Sequence, residues 1–378
     1  MKKTLALSLA ILLLAMVALA ACGSEANDAQ TTPPPSPPAQ ATSVLAPAPS
    51  PAASPSPSPE PEPDPSVTAT DILGRTITLP QPALRVVGTH NPTMNMAVII
   101  GGGGQYIAGF GNKNMAIGLY DFVFPELRDD VLQIGMGQEI NFETVLAVGA
   151  DLAIVPERFA SLIDQFEEIG VPTAVLLPVD QGFDSITNAI SILGALLNEQ
   201  ERAVAINAFF ESKIEAAQAV AAQITDQPRV MFTGGSAPTR VAHRRMLQSV
   251  MMETVGAINV ARDIDHGGDF ADVSLEEIIA WNPEVIYVPT YASYTVDDIL
   301  NDPAWVSVQA VMDGRVYEFP SQLDPWDYPT PSTSMGLVWL MHNLYPELYT
   351  MEQVMRDANE FYQLVYGQTF TAEQLGIR

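Results

Sequence analysis

The chain has a single cysteine, Cys22, among 378 residues. One thiol cannot build a disulfide framework or a thiolate metal cluster, and beyond residue 22 no cysteine nucleophile is available. Basic residues are scarce as well: 17 Lys and Arg stand against 44 Asp and Glu, for a formal net charge of −27. A field of that sign disfavours nucleic acid and gives no electrostatic hold on anionic lipid. The four histidines, His90, His243, His266 and His342, are scattered, and no HExxH pair occurs. The run Gly101 to Gly104 is followed by no Lys-Ser or Lys-Thr and opens no GxGxxG register, so it is not a phosphate loop. Thr233-Gly-Gly-Ser236 lacks the glycine after serine that a nucleophile elbow requires. With no convergent acid/base or nucleophile set, the chain reads as one that binds and releases, not as an enzyme.

What is present starts at the N-terminus. Lys2 and Lys3 precede an apolar stretch from Leu5 to Ala20, too short for a lasting membrane span, which ends in Leu19-Ala20-Ala21-Cys22. This is the pattern of a secretory signal over residues 1–21. The Leu-Ala-Ala-Cys junction resembles a bacterial lipobox, in which the thiol of Cys22 is lipidated and becomes the new N-terminus. From Pro33 to Pro65 the chain is Pro, Ser and Ala with a few acids. Such a segment cannot bury enough apolar surface to offset its ordering entropy. Residues 22–66 are therefore expected to form a lipidated, disordered tether that holds a globular part off a membrane surface.

Val67 to Leu79 reads as a hairpin with its turn at Asp71 to Gly74, and Arg85-Val86-Val87-Gly88-Thr89 as a short strand leading to His90. Strand-like runs alternate with helical patterns up to about residue 182 and again from Arg229, the arrangement of βαβ units around mostly parallel sheets. Between them, Phe183 to Gln223 is apolar at helical spacing, with Asn198 the one interruption. The simplest account is an α/β lobe over 67–182, an interlobe helix over 183–224 and a second α/β lobe over 225–378. A single continuous sheet is the alternative. An internal echo supports two lobes: Asn141-Phe-Glu-Thr-Val-Leu-Ala-Val-Gly-Ala-Asp-Leu-Ala-Ile-Val-Pro156 aligns without a gap on Ser274-Leu-Glu-Glu-Ile-Ile-Ala-Trp-Asn-Pro-Glu-Val-Ile-Tyr-Val-Pro289. Each copy reads as an N-cap, a short helix, a turn and a buried strand, with a capping box between Ser274 and Glu277.

In this order and spacing, several weak motifs become specific. Asp71-x-x-Gly74-Arg75 before Leu79-Pro80, Arg85-Val86-Val87, the two glutamate-bearing copies and Asp313-Gly314-Arg315-Val316-Tyr317 stand behind a lipobox. Together they resemble the substrate-binding lipoproteins of iron-chelate, haem and cobalamin ABC importers, across essentially all of 67–378. Ala257-Ile258-Asn259-Val260-Ala261 fits as well, although Gly-Gly is usual where Ala-Ile stands here. The resemblance implies two Rossmann-like α/β lobes with mostly parallel sheets joined by one long rigid helix, a class III solute-binding protein with ligand in the cleft and little lobe closure. It further implies an extracytoplasmic monomer with no intrinsic cofactor, whose partners are an ABC permease dimer and a small metal chelate. One surface glutamate per lobe, Glu143 and Glu276, would dock into arginine pockets on the permease. As plain residues, the same two acids favour the positive end of a helix dipole.

Candidate ligand residues come from three patterns. Arg240, Arg244 and Arg245 cluster beside His243 ahead of an amphipathic helix, which makes either an anion site or a set of surface salt bridges. Trp326 and Tyr328 sit in the loop Asp324-Pro-Trp-Asp-Tyr-Pro329, which borders the cleft in the resembled family; an apolar wall with a polar tip suits a flat chelate. His90, Arg158, Tyr291 and Tyr294 follow the C-terminal ends of strands, where ligands of open α/β sheets gather. The expected ligand is a ferric siderophore. Haem, cobalamin and molybdate or tungstate stay open, as does an anchored chelatase-like enzyme on the same fold.

Overall fold

The computed structural model describes Pro35, residues 65–113 and residues 117–377. The signal at 1–21, Cys22 and nearly all of the tether at 22–66 lie outside the described residues. No helix among the described residues is long and apolar enough to cross a membrane.

Strands β1 (Val67–Thr70) and β2 (Thr76–Leu79) form an antiparallel hairpin whose side chains alternate between buried and exposed, so only one face packs inward. The Asp71 carboxylate holds the turn by accepting from the backbone N–H of Leu73 and Arg75, both at 3.0 Å. Strand β3 (Val86–Gly88) leads into helix α1 (Asn91–Gly101), which ends where Gly102 and Gly103 take positive φ values of 67° and 149°. The run Gly101 to Gly104 thus closes a helix, a conformation that a side chain at 102 or 103 would strain.

The first lobe continues with β4 (Ile107–Phe110), β5 (Leu132–Gln133), β6 (Gly135–Met136), β7 (Glu139–Ile140), helix α2 (Phe142–Ala147), β8 (Leu152–Pro156) and β9 (Thr173–Leu177). Its sheet has the order β5-β4-β3-β8-β9, with every pairing parallel. The runs Leu-Ala-Ile-Val-Pro in β8 and Thr-Ala-Val-Leu-Leu in β9, apolar but for Thr173, are buried at every position, because helices cover both faces.

Residues 183–224 do not form one rod. They fold as two antiparallel helices, α3 (Phe183–Leu196) and α4 (Gln200–Ala221). Asn198 adopts φ 59°, in the left-handed region, and reverses the chain. The Asn207 amide on α4 donates to the Thr187 carbonyl (2.9 Å) and the Ser191 hydroxyl (3.0 Å), which fixes the register of the pair. Helix α4 bridges the lobes. Its early turns pack on α3, and its later part reaches the C-terminal helices.

The second lobe holds β10 (Arg229–Gly234), β11 (Ala237–Val241), helix α5 (Leu247–Thr254), β12 (Ile258–Asn259), β13 (Ala271–Asp272), helix α6 (Leu275–Trp281), β14 (Val285–Pro289) and β15 (Val316–Phe319). Helices α7 (Thr333–Leu344) and α8 (Met351–Tyr366) follow. Lys213 of α4 lies 3.4 Å from Asp357 of α8, and the Phe209 and Phe361 rings stand 5.7 Å apart. The second sheet has the order β13-β11-β10-β14-β15, with β12 also on β10. Its β10, β12, β14 and β15 pairings are parallel, and those of β11 and β13 antiparallel. Strand β14 sits between β10 and β15 as β8 sits between β3 and β9, so the echoed segments α2–β8 and α6–β14 occupy equivalent places. Their N-caps also match: Asn141 accepts from the N–H of Thr144 at 3.0 Å and Ser274 from that of Glu277 at 3.2 Å. The Ser274–Glu277 capping box is present. One apolar core runs through both lobes and the bridging hairpin, and a smaller cluster lies on the outer face of each sheet.

Candidate functional site

A parallel sheet ends its strands on one side, and here those sides of the two lobes face each other. Between them lies a cavity of about 450 Å³. The first lobe contributes Thr89 to Pro92 after β3, Asn112 after β4, Arg158 and Phe159 after β8, and Gln181 after β9. The second contributes Met246, Gln248, Gly268 to Phe270, Tyr291 after β14, and Asp327 to Pro329 in the loop after β15. A hollow of about 520 Å³ lies within the second lobe alone, beside Tyr294, Tyr317 and Trp339. Its lining comes from one lobe only, so it takes no part in a site between the lobes.

His90 caps α1 without a side-chain cap bond, so the helix begins at the cavity with the positive end of its dipole there. The imidazole is only 8% exposed, and its Nδ1 has no hydrogen-bond partner among the described residues. Burial, followed by the Arg158 guanidinium, lowers its pKa from 6.5 to about 3, so the ring is neutral at physiological pH. Phe159 orders this corner: its ring stands 6.1 Å from that of His90, edge to face, and Arg158 lies 5.2 Å over its face. Arg158 makes no ion pair among the described residues, and burial lowers its pKa while Asp269 opposes that shift.

On the opposite wall, the Tyr291 hydroxyl donates to Asp327 Oδ2 at 2.6 Å, and the Gln248 amide donates to the same oxygen at 3.4 Å and to the Asp327 carbonyl at 3.1 Å. Asp327 Oδ1 is buried without a partner among the described residues, and burial raises the pKa of this carboxyl from 3.8 to about 6. The Tyr291 and Tyr328 rings pack at 5.3 Å, and burial pushes the Tyr328 phenol well above its ordinary range. Behind the site, buried Asp324 accepts from Ser332 Oγ at 2.6 Å and, across the lobe junction, from Asn95 of α1 at 3.4 Å.

Of the residues singled out in the sequence, His90, Arg158, Tyr291 and Tyr328 line this cavity. Arg240, Arg244, Tyr294 and Trp326 do not. Arg240 is held by Asp269 at 3.1 Å and Asp272 at 3.4 Å, and Arg244 by Asp265 at 2.6 Å. On so acidic a surface the clustered arginines are met by nearby carboxylates, the salt-bridge alternative. The Tyr294 hydroxyl donates to the Gly234 carbonyl at 2.8 Å. Trp326 is fully buried and donates to the Tyr362 hydroxyl at 2.9 Å. Asp327, Gln248, Phe159 and Asp269 went unnoticed in the sequence. Asp327 had one signal, its place between Trp326 and Tyr328 in a loop already marked. Glu143 and Glu276 are exposed in the first turns of α2 and α6, outside the cavity lining. No group of three or more His, Cys, Asp or Glu placed to hold a metal ion occurs among the described residues.

The arrangement can orient and desolvate a solute between two walls, one cationic and one rich in phenol and acid. Residues 104–323 match the profile of a family described as periplasmic binding protein. The chain is 26% identical over 324 residues to the molybdate-binding protein MolA of Haemophilus influenzae, covering 80% of this chain and 91% of that one. It is 24% identical over 225 residues to a cobalamin-binding protein of Halobacterium salinarum, covering 58% of each. The solved structure of Haemophilus influenzae MolA bound to molybdate superposes with a TM-score of 0.71 at 23% identity, over 80% of this chain and 99% of that one. The chain belongs to the periplasmic binding protein family, as an extracytoplasmic solute-binding component of an ABC importer and not an enzyme.

Proposed function

We propose that the interlobe cavity captures a small metal-containing anion, an oxyanion of the molybdate and tungstate class, and delivers it to the permease. The observation that carries this reading is the convergence of Arg158, the N-terminal end of α1 and the unpartnered Nδ1 of His90 on one wall. A helix N-terminus attracts anions, a guanidinium supplies charged donors, and a buried neutral imidazole supplies one more. The similarity to a molybdate-binding protein over 80% of the chain supports the same class. A ferric siderophore, the ligand expected from the sequence, is the second reading. It is favoured by a cavity of about 450 Å³ and by the Tyr291–Tyr328 wall, which suit a chelate larger than a bare oxyanion. Delivery would use Glu143 and Glu276, exposed at equivalent places in both lobes, and lipid on Cys22 would keep the protein beside its permease.

Titration calorimetry of the purified protein with molybdate, tungstate, sulfate and ferric chelates tests the assignment. Molybdate or tungstate should bind, and Arg158→Ala should weaken that binding by about tenfold or more, the loss of a charge-assisted contact. Binding of ferric chelates with no response to either oxyanion would replace the first reading by the second.

A further inference from the structure

Helices α2 and α6 are short, and each must bury one face against its sheet. Val145 and Ile278 do so at equivalent positions, both fully buried. The outward face of such a helix is ordinarily polar. Here it is not. Three residues after Glu143 stands Leu146, 54% exposed, and three residues after Glu276 stands Ile279, 36% exposed. Ala147 and Ala280 complete the stripe and are exposed as well. A lone exposed leucine needs no explanation. The same acid, large aliphatic and alanine at i, i+3 and i+4 on both copies of a duplicated unit does need one.

We propose that Leu146 and Ile279 form the apolar half of a two-point docking surface, in which each lobe offers one glutamate and one aliphatic side chain to the permease dimer. This rests on the reading of Glu143 and Glu276 as docking residues and adds to it. Three observations select that partner. Neither Phe142–Ala147 nor Leu275–Trp281 contains a Lys or Arg, so the complementary surface is cationic. The two patches are related by the internal repeat, which suits a surface that is itself repeated, as a dimeric permease provides. Each helix also leads into a strand, β8 or β14, whose far end opens on the cavity, so the helix N-termini lie on the cavity side of the molecule. Docking there sets the permease against the lobes that hold the solute. The partner is thus a pair of basic pockets, each with an apolar ledge about 5 Å along the helix axis from the charge. The ledge excludes water from the charged contact, as near-neutral rim contacts do around a hot spot.

The test uses the full-length protein and its permease–ATPase complex in nanodiscs, with docking affinity, solute affinity and thermal stability measured for each variant. Leu146→Ser with Ile279→Ser should weaken docking by about tenfold or more, at low and high salt alike, because the lost contact is apolar. Solute affinity and melting temperature should stay at the wild-type values, since both side chains are exposed. Glu143→Gln with Glu276→Gln should weaken docking mainly at low salt. If the glutamate variant loses docking while the aliphatic variant keeps it, the present inference is wrong and the docking role of the acids stands. If both variants dock as well as wild type, α2 and α6 are not the docking surface and both ideas fall together.

Discussion

His90 and Asp327 face one cavity with proton affinities pushed in opposite senses, and burial is the main cause of both shifts. At neutral pH the imidazole is uncharged and the carboxyl is mostly ionised, each with one buried atom lacking a partner among the described residues. An anion bound between them raises the pKa of Asp327 further, so binding takes up a proton and tightens as the pH falls through about 6. Arg158, Asp269, Tyr291 and Tyr328 share the cavity with them, and Asp269 pairs with Arg240 at 3.1 Å. Calorimetry should show the dissociation constant for molybdate decreasing from neutral pH to about 5. Asp327→Asn should flatten that profile and tighten binding at pH 7. The opposite slope would mean that the solute presents a cation to this wall. The strand-end positions of His90, Arg158 and Tyr291 were legible because an α/β sheet gathers its site at one edge. Asp327 was far less so: among 44 acids its one signal is its place between Trp326 and Tyr328, and its role shows only once its burial is known. Arg240 and Arg244 show the complementary case, since a basic cluster attracts local carboxylates as readily as a ligand does, here Asp265, Asp269 and Asp272.

Elements were more legible than side chains. The echo of 141–156 in 274–289 carries through to matched helices, N-caps and strand positions, because capping and strand burial are local chemistry written in neighbouring residues. The helical stretch 183–223 was visible by periodicity, and Asn198 marked its interruption, yet nothing in the spacing showed that the chain doubles back there. The close approach of α3 and α4 depends on Gly194. A Cβ at that position would sit 2.5 Å from the Ala203 Cβ and 3.3 Å from the Glu199 carbonyl oxygen. In an exposed helix interior, glycine to alanine gains about 1 kcal/mol. Here the contact reverses the sign, and Gly194→Ala should destabilise by about 1–3 kcal/mol, the usual range for overpacking. Chemical denaturation measures it. Adding Ala203→Gly should recover part of the loss, because the two sites touch and their effects do not add.

At the scale of the whole molecule, charge and attachment have to be considered together. A net charge of −27 repels anionic lipid surfaces, and the described residues contain no membrane-spanning helix. A covalent anchor would hold an extracytoplasmic binding protein with such a surface near its permease. Cys22 is the single thiol in the chain and stands at the end of Leu-Ala-Ala-Cys, which resembles a lipidation junction. A lipid there would keep the local concentration at the membrane high by geometry alone, without any new contact to the permease. Cys22→Ser should therefore move the protein from the membrane fraction to the soluble one. Its solute affinity should not change, since the cavity is lined wholly by residues between Thr89 and Pro329, far along the chain from Cys22. Uptake at low solute concentration should fall, and overexpression of the soluble form should restore it by mass action. Persistence of the variant in washed membranes would show that Cys22 does not hold the protein there. A loss of solute affinity in the variant would instead mean that the N-terminal segment contributes to the cavity.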